Sequence, residues 1–183
     1  MRMRILGIAG SLREDSSNGT LLKIAASLPD PEVELEIYRG LGDLPFFSPE
    51  RDDANQDGSV AEFRARLKRA DGILIATPEY AFGMPGVLKN ALDWTVSSGE
   101  FDKKPVAALS ASPTSTGGDK AHASLLLVLS ALSARVVTSA SFPIPAIYKK
   151  ISKTGAVVDP AIVNLLAGVM ADLKAEIGKG PPE

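Results

Sequence analysis

Apolar residues recur along this chain in two alternating rhythms. The stretches 4–10 (RILGIAG), 33–39 (VELEIYR), 72–77 (GILIAT), 105–112 (PVAALSAS) and 134–141 (ARVVTSAS) are short and rich in β-formers, and several end at a glycine or before a proline. The second alternates apolar and polar positions, as a half-buried strand does, and the third is continuous, as a strand covered on both faces is. Five strands are predicted. Between them the period lengthens to that of a helix. Residues 18–28 follow the capping run Asp15-Ser16-Ser17-Asn18, and Val60, Phe63 and Leu67 share one face of a second helix. A third begins at Pro85, with Leu88, Ala91, Leu92 and Thr95 clustered. Residues 119–133 read as a helix with few polar positions. From Asp159–Pro160 onward Ile162, Leu165, Leu166, Val169, Leu173 and Ile177 keep helical spacing.

Strands alternating with helices imply a parallel sheet with crossover helices on both faces. Five units fit an α/β, flavodoxin-like doubly wound sheet, with the strand order 2-1-3-4-5 taken by analogy with that fold. The length of 183 residues suits a single domain over 1–183. Composition removes several function classes. Cysteine is absent, so there is no disulfide, thiol nucleophile or thiolate metal site, and a single histidine, His122, excludes a multi-histidine metal centre. A net charge of −2 argues against nucleic acid as a partner. No apolar run reaches the ~18 residues of a membrane span. The arginines in MRMRILGIAGS precede a run that glycine breaks at once, which a strand explains better than a signal peptide. A soluble, cytoplasmic protein is expected.

The chemistry concentrates in the loops after the strands. In a doubly wound sheet ligands bind at the carboxyl ends of the strands, where the strand order reverses. The loop 8–20 (IAGSLREDSSNGT) lies there and opens a helix whose free N–H groups attract an anion. Ser11 and Ser16 can donate hydroxyl bonds, Arg13 adds a permanent charge, and Asn18 can donate from its amide. Glu14 and Asp15 oppose an anion unless they point to solvent, as expected here. Neither the Walker A spelling nor G-x-G-x-x-G fits. A serine-rich turn that simply caps a helix remains open for this loop alone. The loop 77–94 (TPEYAFGMPGVLKNALDW) sets Tyr80 and Phe82 where a turn is normally polar. Beside an anion site it would form a flat apolar shelf. Two aromatics folded onto the core are the alternative. His122 is expected to be a surface or helix-start residue rather than a catalytic one, Lys89 and Asp93 form an i,i+4 pair, and Trp94 serves packing.

Three motifs, GSLREDSSN (10–18), PEYAFGMPGVLKNALDW (78–94) and SASPTSTGGDKA (110–121), make the chain resemble the NADPH-dependent FMN reductase family, which includes bacterial quinone and chromate reductases. The likeness runs over nearly the whole chain. It implies that Ser11, Arg13, Ser16 and Asn18 hold the FMN phosphate, with backbone contact from Ser17. Pro78, Glu79 and Tyr80, with Phe82 close by, would follow the isoalloxazine edge. Ser112, Gly117 and Gly118 would close its other side. No catalytic side chain and no metal are implied. Ala81 stands where many members carry asparagine, so a side-chain contact is expected to be missing there. Pro113 and Thr114 replace the usual residues before the double glycine. The implied activity is two-electron hydride transfer from NADPH or NADH to bound FMN, then to quinones, azo compounds, metal oxyanions or free flavin. Donor and acceptor using one face in turn would give ping-pong kinetics. The family's members are homodimers or homotetramers, and the apolar run 123–134 is the expected interface. Residues 141–155 would cover part of a neighbouring site. The alternatives are an electron carrier of the flavodoxin type without a substrate of its own, and a module that binds no flavin.

Overall fold

The structure, a computed structural model, describes residues 2–52 and 58–180. Its sheet has the order β2-β1-β3-β4-β5, all parallel, built from β1 (Met3–Ala9), β2 (Val33–Tyr38), β3 (Gly72–Thr77), β4 (Pro105–Ala111) and a short β5 (Arg135–Val136). The crossover helices are α1 (Ser17–Ser27), α2 (Gly58–Arg69), α3 (Gly86–Asp93) and α4 (Asp119–Ala131), and α5 (Ala161–Gly178) closes the chain. This is the flavodoxin-like topology expected from the alternation of periods. β3 and β4 are buried along their whole length, whereas β2 alternates with Glu34 and Glu36 outward at the sheet edge.

The helices divide between two apolar layers. Leu21, Leu22 and Ala25 of α1 pack with Ile162, Leu166, Val169 and Leu173 of α5 on one face. Val60, Phe63 and Leu67 of α2, Leu88 and Leu92 of α3, and Leu125 and Leu129 of α4 cover the other. Trp94 is buried in this second layer, donates its indole N–H to the Pro45 carbonyl at 2.9 Å, and meets Phe47 edge to face.

One strand departs from the sequence reading. Residues 134–141 do not form a continuous fifth strand. β5 covers Arg135–Val136, a 3-10 turn follows at Thr138–Ala140, and pairing with β4 resumes in β6 (Phe142–Ile144). The ladder is interrupted where the Ser141 hydroxyl, rather than a backbone carbonyl, accepts the Ala108 N–H at 2.9 Å. Pro143, which has no N–H to give, fits only at such a sheet edge.

Candidate functional site

β1 ends at Ala9, and Gly10 turns the chain against β3. A Cβ at Gly10 would lie 2.5 Å from the Thr77 hydroxyl, so the first and second loops approach this closely only with glycine here. The chain then runs through Ser11–Asp15 and enters α1 at Ser16. The Ser16 side chain makes no capping bond to the helix it precedes. The first-turn N–H groups of α1 therefore keep their partial positive charge for another acceptor. Asn18 is 2% exposed, and its amide donates to the Ala111 carbonyl at 3.1 Å. Its Oδ1 is buried with no partner among the described residues. A buried acceptor left unmade costs more than most single bonds return, so the site calls for a donor here.

Three loops meet at one pocket of about 340 Å³. Its walls take in Ser11, Arg13, Ser16, Ser17 and Asn18 from the first loop, Pro78, Glu79 and Tyr80 from the second, and Ser112 from the third. A long contact of 3.5 Å joins the Ser11 and Tyr80 hydroxyls across the first two loops.

Three expectations change, and one pair of alternatives is decided. Asp15 does not turn away. It lines the pocket and accepts from Arg13 through both carboxylate oxygens, at 3.0–3.2 Å. The hydrogen bonds and charge of Arg13 hold the Asp15 carboxyl below the usual range. The pair is exposed, so an anion can draw Arg13 away at little cost. Phe82 does not reach the pocket. Tyr80 and Gly83 exchange two backbone bonds of 3.0 Å, and Ala81 and Phe82 between them have φ of 49° and 61°, which swings Phe82 out to 82% exposure. Gly117 and Gly118 are not in the wall either. A Cβ on Gly117 would sit 2.7 Å from the Ile144 backbone, so this glycine lets the third loop lie on β6, while Gly118 starts α4. His122, finally, takes the helix-start alternative, buried in the first turn of α4. Its Nε2 lies 3.2 Å from the Ala108 carbonyl, and burial pulls the imidazole below its ordinary value.

Glu79 has a second duty. Its Oε2 accepts the backbone N–H groups of Lys120 and Ala121 at 2.9 and 3.0 Å, capping α4 from the neighbouring loop. A carboxylate at a helix N-terminus satisfies orphan donors and the dipole together. Lys89 and Asp93 form the expected pair at 2.6 Å.

Two wall residues, Ala111 and Ile147, were not singled out in the sequence, and Pro113 and Thr114 were noted only as departures from the usual spelling. Ser112 and Thr114 build a hydroxyl-capped turn, with Thr114 N–H donating to Ser112 Oγ at 3.0 Å. Ile147 has no motif. It comes from the segment 141–155, expected over a neighbour's site, and is fastened to its own chain by Ile147 N–H to Ser112 O (3.1 Å) and Ala146 N–H to Thr114 O (2.9 Å).

The geometry suits a flat ligand with an anionic tail. Residues 3–149 match the model of the NADPH-dependent FMN reductases. The chain belongs to that family. It is therefore an oxidoreductase that uses FMN with a reduced nicotinamide nucleotide. The chain is 34% identical over 160 residues to the NADH:(hydroxy)cinnamate reductase subunit CrdA of Vibrio ruber, covering 86% of this chain and 78% of that one. It is 29% identical over 173 residues to a quinone reductase of Escherichia coli K12, covering 91% of each. Among solved structures, FerB, a flavoenzyme NAD(P)H:(acceptor) oxidoreductase from Paracoccus denitrificans, superposes with a TM-score of 0.82 at 28% identity. That match covers 98% of this chain and 100% of the other. No helix among the described residues is long and apolar enough to cross a membrane.

Proposed function

We propose that the three-loop pocket binds FMN and that the chain is an NAD(P)H-dependent reductase of small oxidised acceptors, quinones first among them. Azo compounds, metal oxyanions and free flavin fit the same reading. One observation carries it: the buried, unpartnered Asn18 Oδ1 beside the uncapped start of α1. FMN presents both complements, ribityl hydroxyls that donate and a phosphate that accepts. When bound it supplies the hydride chemistry.

The protein's part is to hold and to shield. The first-turn N–H groups of α1 and the hydroxyls of Ser16 and Ser17 take the phosphate, joined by Arg13 released from Asp15. Asn18 Oδ1 accepts from the ribityl chain. Pro78 and Tyr80 border the ring on one side and Ser112–Thr114 on the other. Tyr80, half-exposed, leaves room for a second planar molecule, so donor and acceptor take turns on one face. Glu79, engaged with α4, reaches the ring only through its backbone. The assembly is a homodimer or homotetramer, a reading supported by the apolar outward side of α4.

The purified protein should be yellow, and anaerobic mixing with NADPH alone should bleach it in stopped flow. Asn18→Leu should weaken FMN binding by roughly 10-fold or more, in keeping with a lost buried hydrogen bond. A wild-type protein that takes up no added FMN, or whose flavin stays oxidised under NADPH and NADH alike, would overturn the proposal.

A further inference from the structure

β3 and β4 run side by side up to the pair Thr77–Ser110. Beyond it one chain continues into Pro78–Tyr80 and the other into the third loop, and both supply pocket wall. The Glu79 side chain joins them again. Its Oε2 accepts the N–H groups of Lys120 and Ala121, so the second loop is tied to the helix that the third loop opens. Gly118, at the head of that helix, has no side chain to cap it with. A Cβ there would lie 3.3 Å from the Glu79 Cβ and 3.5 Å from the Ser110 Cβ, and its φ of 83° suits glycine. The two glycines thus have separate tasks. Gly117 seats the third loop against Ile144, and Gly118 leaves the room in which Glu79 crosses.

The origin of this cap sets it apart. A helix is normally capped by the residue just before it, whereas this carboxylate comes from 41 residues away, in the pocket wall. Two charge-assisted bonds at the positive end of α4 absorb its charge. An acidic side chain can therefore stand in the wall of an anion-binding pocket without facing the anion. What the tie fixes is the distance between Pro78–Tyr80 and Ser112–Thr114, the two borders of the flat part of the pocket.

We propose that Glu79 is a positioning residue that clamps the second loop to the third and so sets the width of the slot for the isoalloxazine ring. The clamp rests on the reading that this pocket binds FMN. Cap and ligand are then linked. If the clamp strengthens flavin binding, bound flavin strengthens the clamp by the same factor.

Hydrogen exchange reads the clamp without any turnover. Adding FMN to the apoprotein should slow exchange at the Lys120 and Ala121 amides by roughly 10-fold, the scale of a charge-assisted bond. Amides of α5, on the opposite face of the sheet, should slow less. Glu79→Ala should speed the two α4 amides and weaken FMN and riboflavin alike by roughly 10-fold, because riboflavin has the ring but lacks the phosphate. Glu79→Gln keeps an acceptor oxygen at the same reach and should recover part of both effects. In the alanine variant the resolved shoulders on the visible band of bound FMN should blur, a mark of a loosened ring that lower stability alone does not produce. Wild-type affinity of Glu79→Ala for both flavins, a loss for FMN alone, or α4 amides indifferent to FMN overturns the clamp and leaves the FMN reading standing. A wild type that takes up neither flavin sinks that reading and the clamp with it.

Discussion

Ala81 and Phe82 sit side by side in left-handed backbone at the tip of the Tyr80–Gly83 turn. Two positive φ values in a two-residue turn are the mark of the I′ type, which favours Asn-Gly. An L-residue there crowds its Cβ against the next carbonyl, at about 1–2 kcal/mol per residue. The asparagine that many family members carry at this position is therefore explained by the backbone before any side-chain contact. Ala81→Asn should stabilise the protein by up to about 1 kcal/mol, read as a higher urea midpoint at unchanged m-value. A midpoint that stays put or falls would show that the turn carries no strain. Gly117 obeys the same rule from the opposite side. Its φ is 68° and its neighbour is the Ile144 backbone, so no side chain can replace its hydrogen.

At the scale of elements, α4 ties the site to the core. Glu79 from the second loop caps its start, and His122 in its first turn reaches the Ala108 carbonyl of β4. Burial pulls the His122 imidazole below 6.5, only partly offset by the hydrogen bond to Ala108. The folded protein thus keeps a neutral ring where the unfolded chain takes up a proton. Stability from this group is full above about pH 6.5 and is lost as pH falls below it, towards the lowered folded value. The stability gap between wild type and His122→Gln should be widest at pH 8 and narrow by pH 5 in urea titrations. A gap that is constant with pH would mean that His122 titrates as it does in the unfolded chain.

At the scale of the whole molecule, α4 buries Leu125 and Leu129 but leaves Leu127 74% exposed, with Ala123 exposed beside it. An exposed leucine of this kind suits a surface that a second copy covers. Light scattering of the wild type should give a multiple of 19.2 kDa, and Leu127→Lys should shift the population towards the monomer. A wild type that runs as a monomer at all concentrations would count against the oligomer.

Much of the architecture was legible because it rests on local periods. Val60, Phe63 and Leu67 recur on one helical face and are all buried, and the continuous run at 72–77 is a strand covered on both sides. The fifth strand misled because its apolar pattern runs on through residues 137–141, while the break in pairing depends on a Ser141 hydroxyl meeting another strand. The site followed the same division. Residues that reach the pocket wall through a local feature, such as Ser16, Ser17 and Asn18 at a helix start, could be read from the order of residue types. Those whose place depends on distant chain could not. Ile147 enters the wall through two backbone bonds to the third loop, Glu79 turns to cap another helix, and Phe82 is thrown outward by the turn it occupies. Period and loop chemistry, which act over a few residues, determined from sequence alone the strands, the helices and which strand ends carry polar loops. Only the tertiary structure decided which side chains face the pocket and which serve the frame, because that choice depends on bonds and close approaches between segments far apart in the chain.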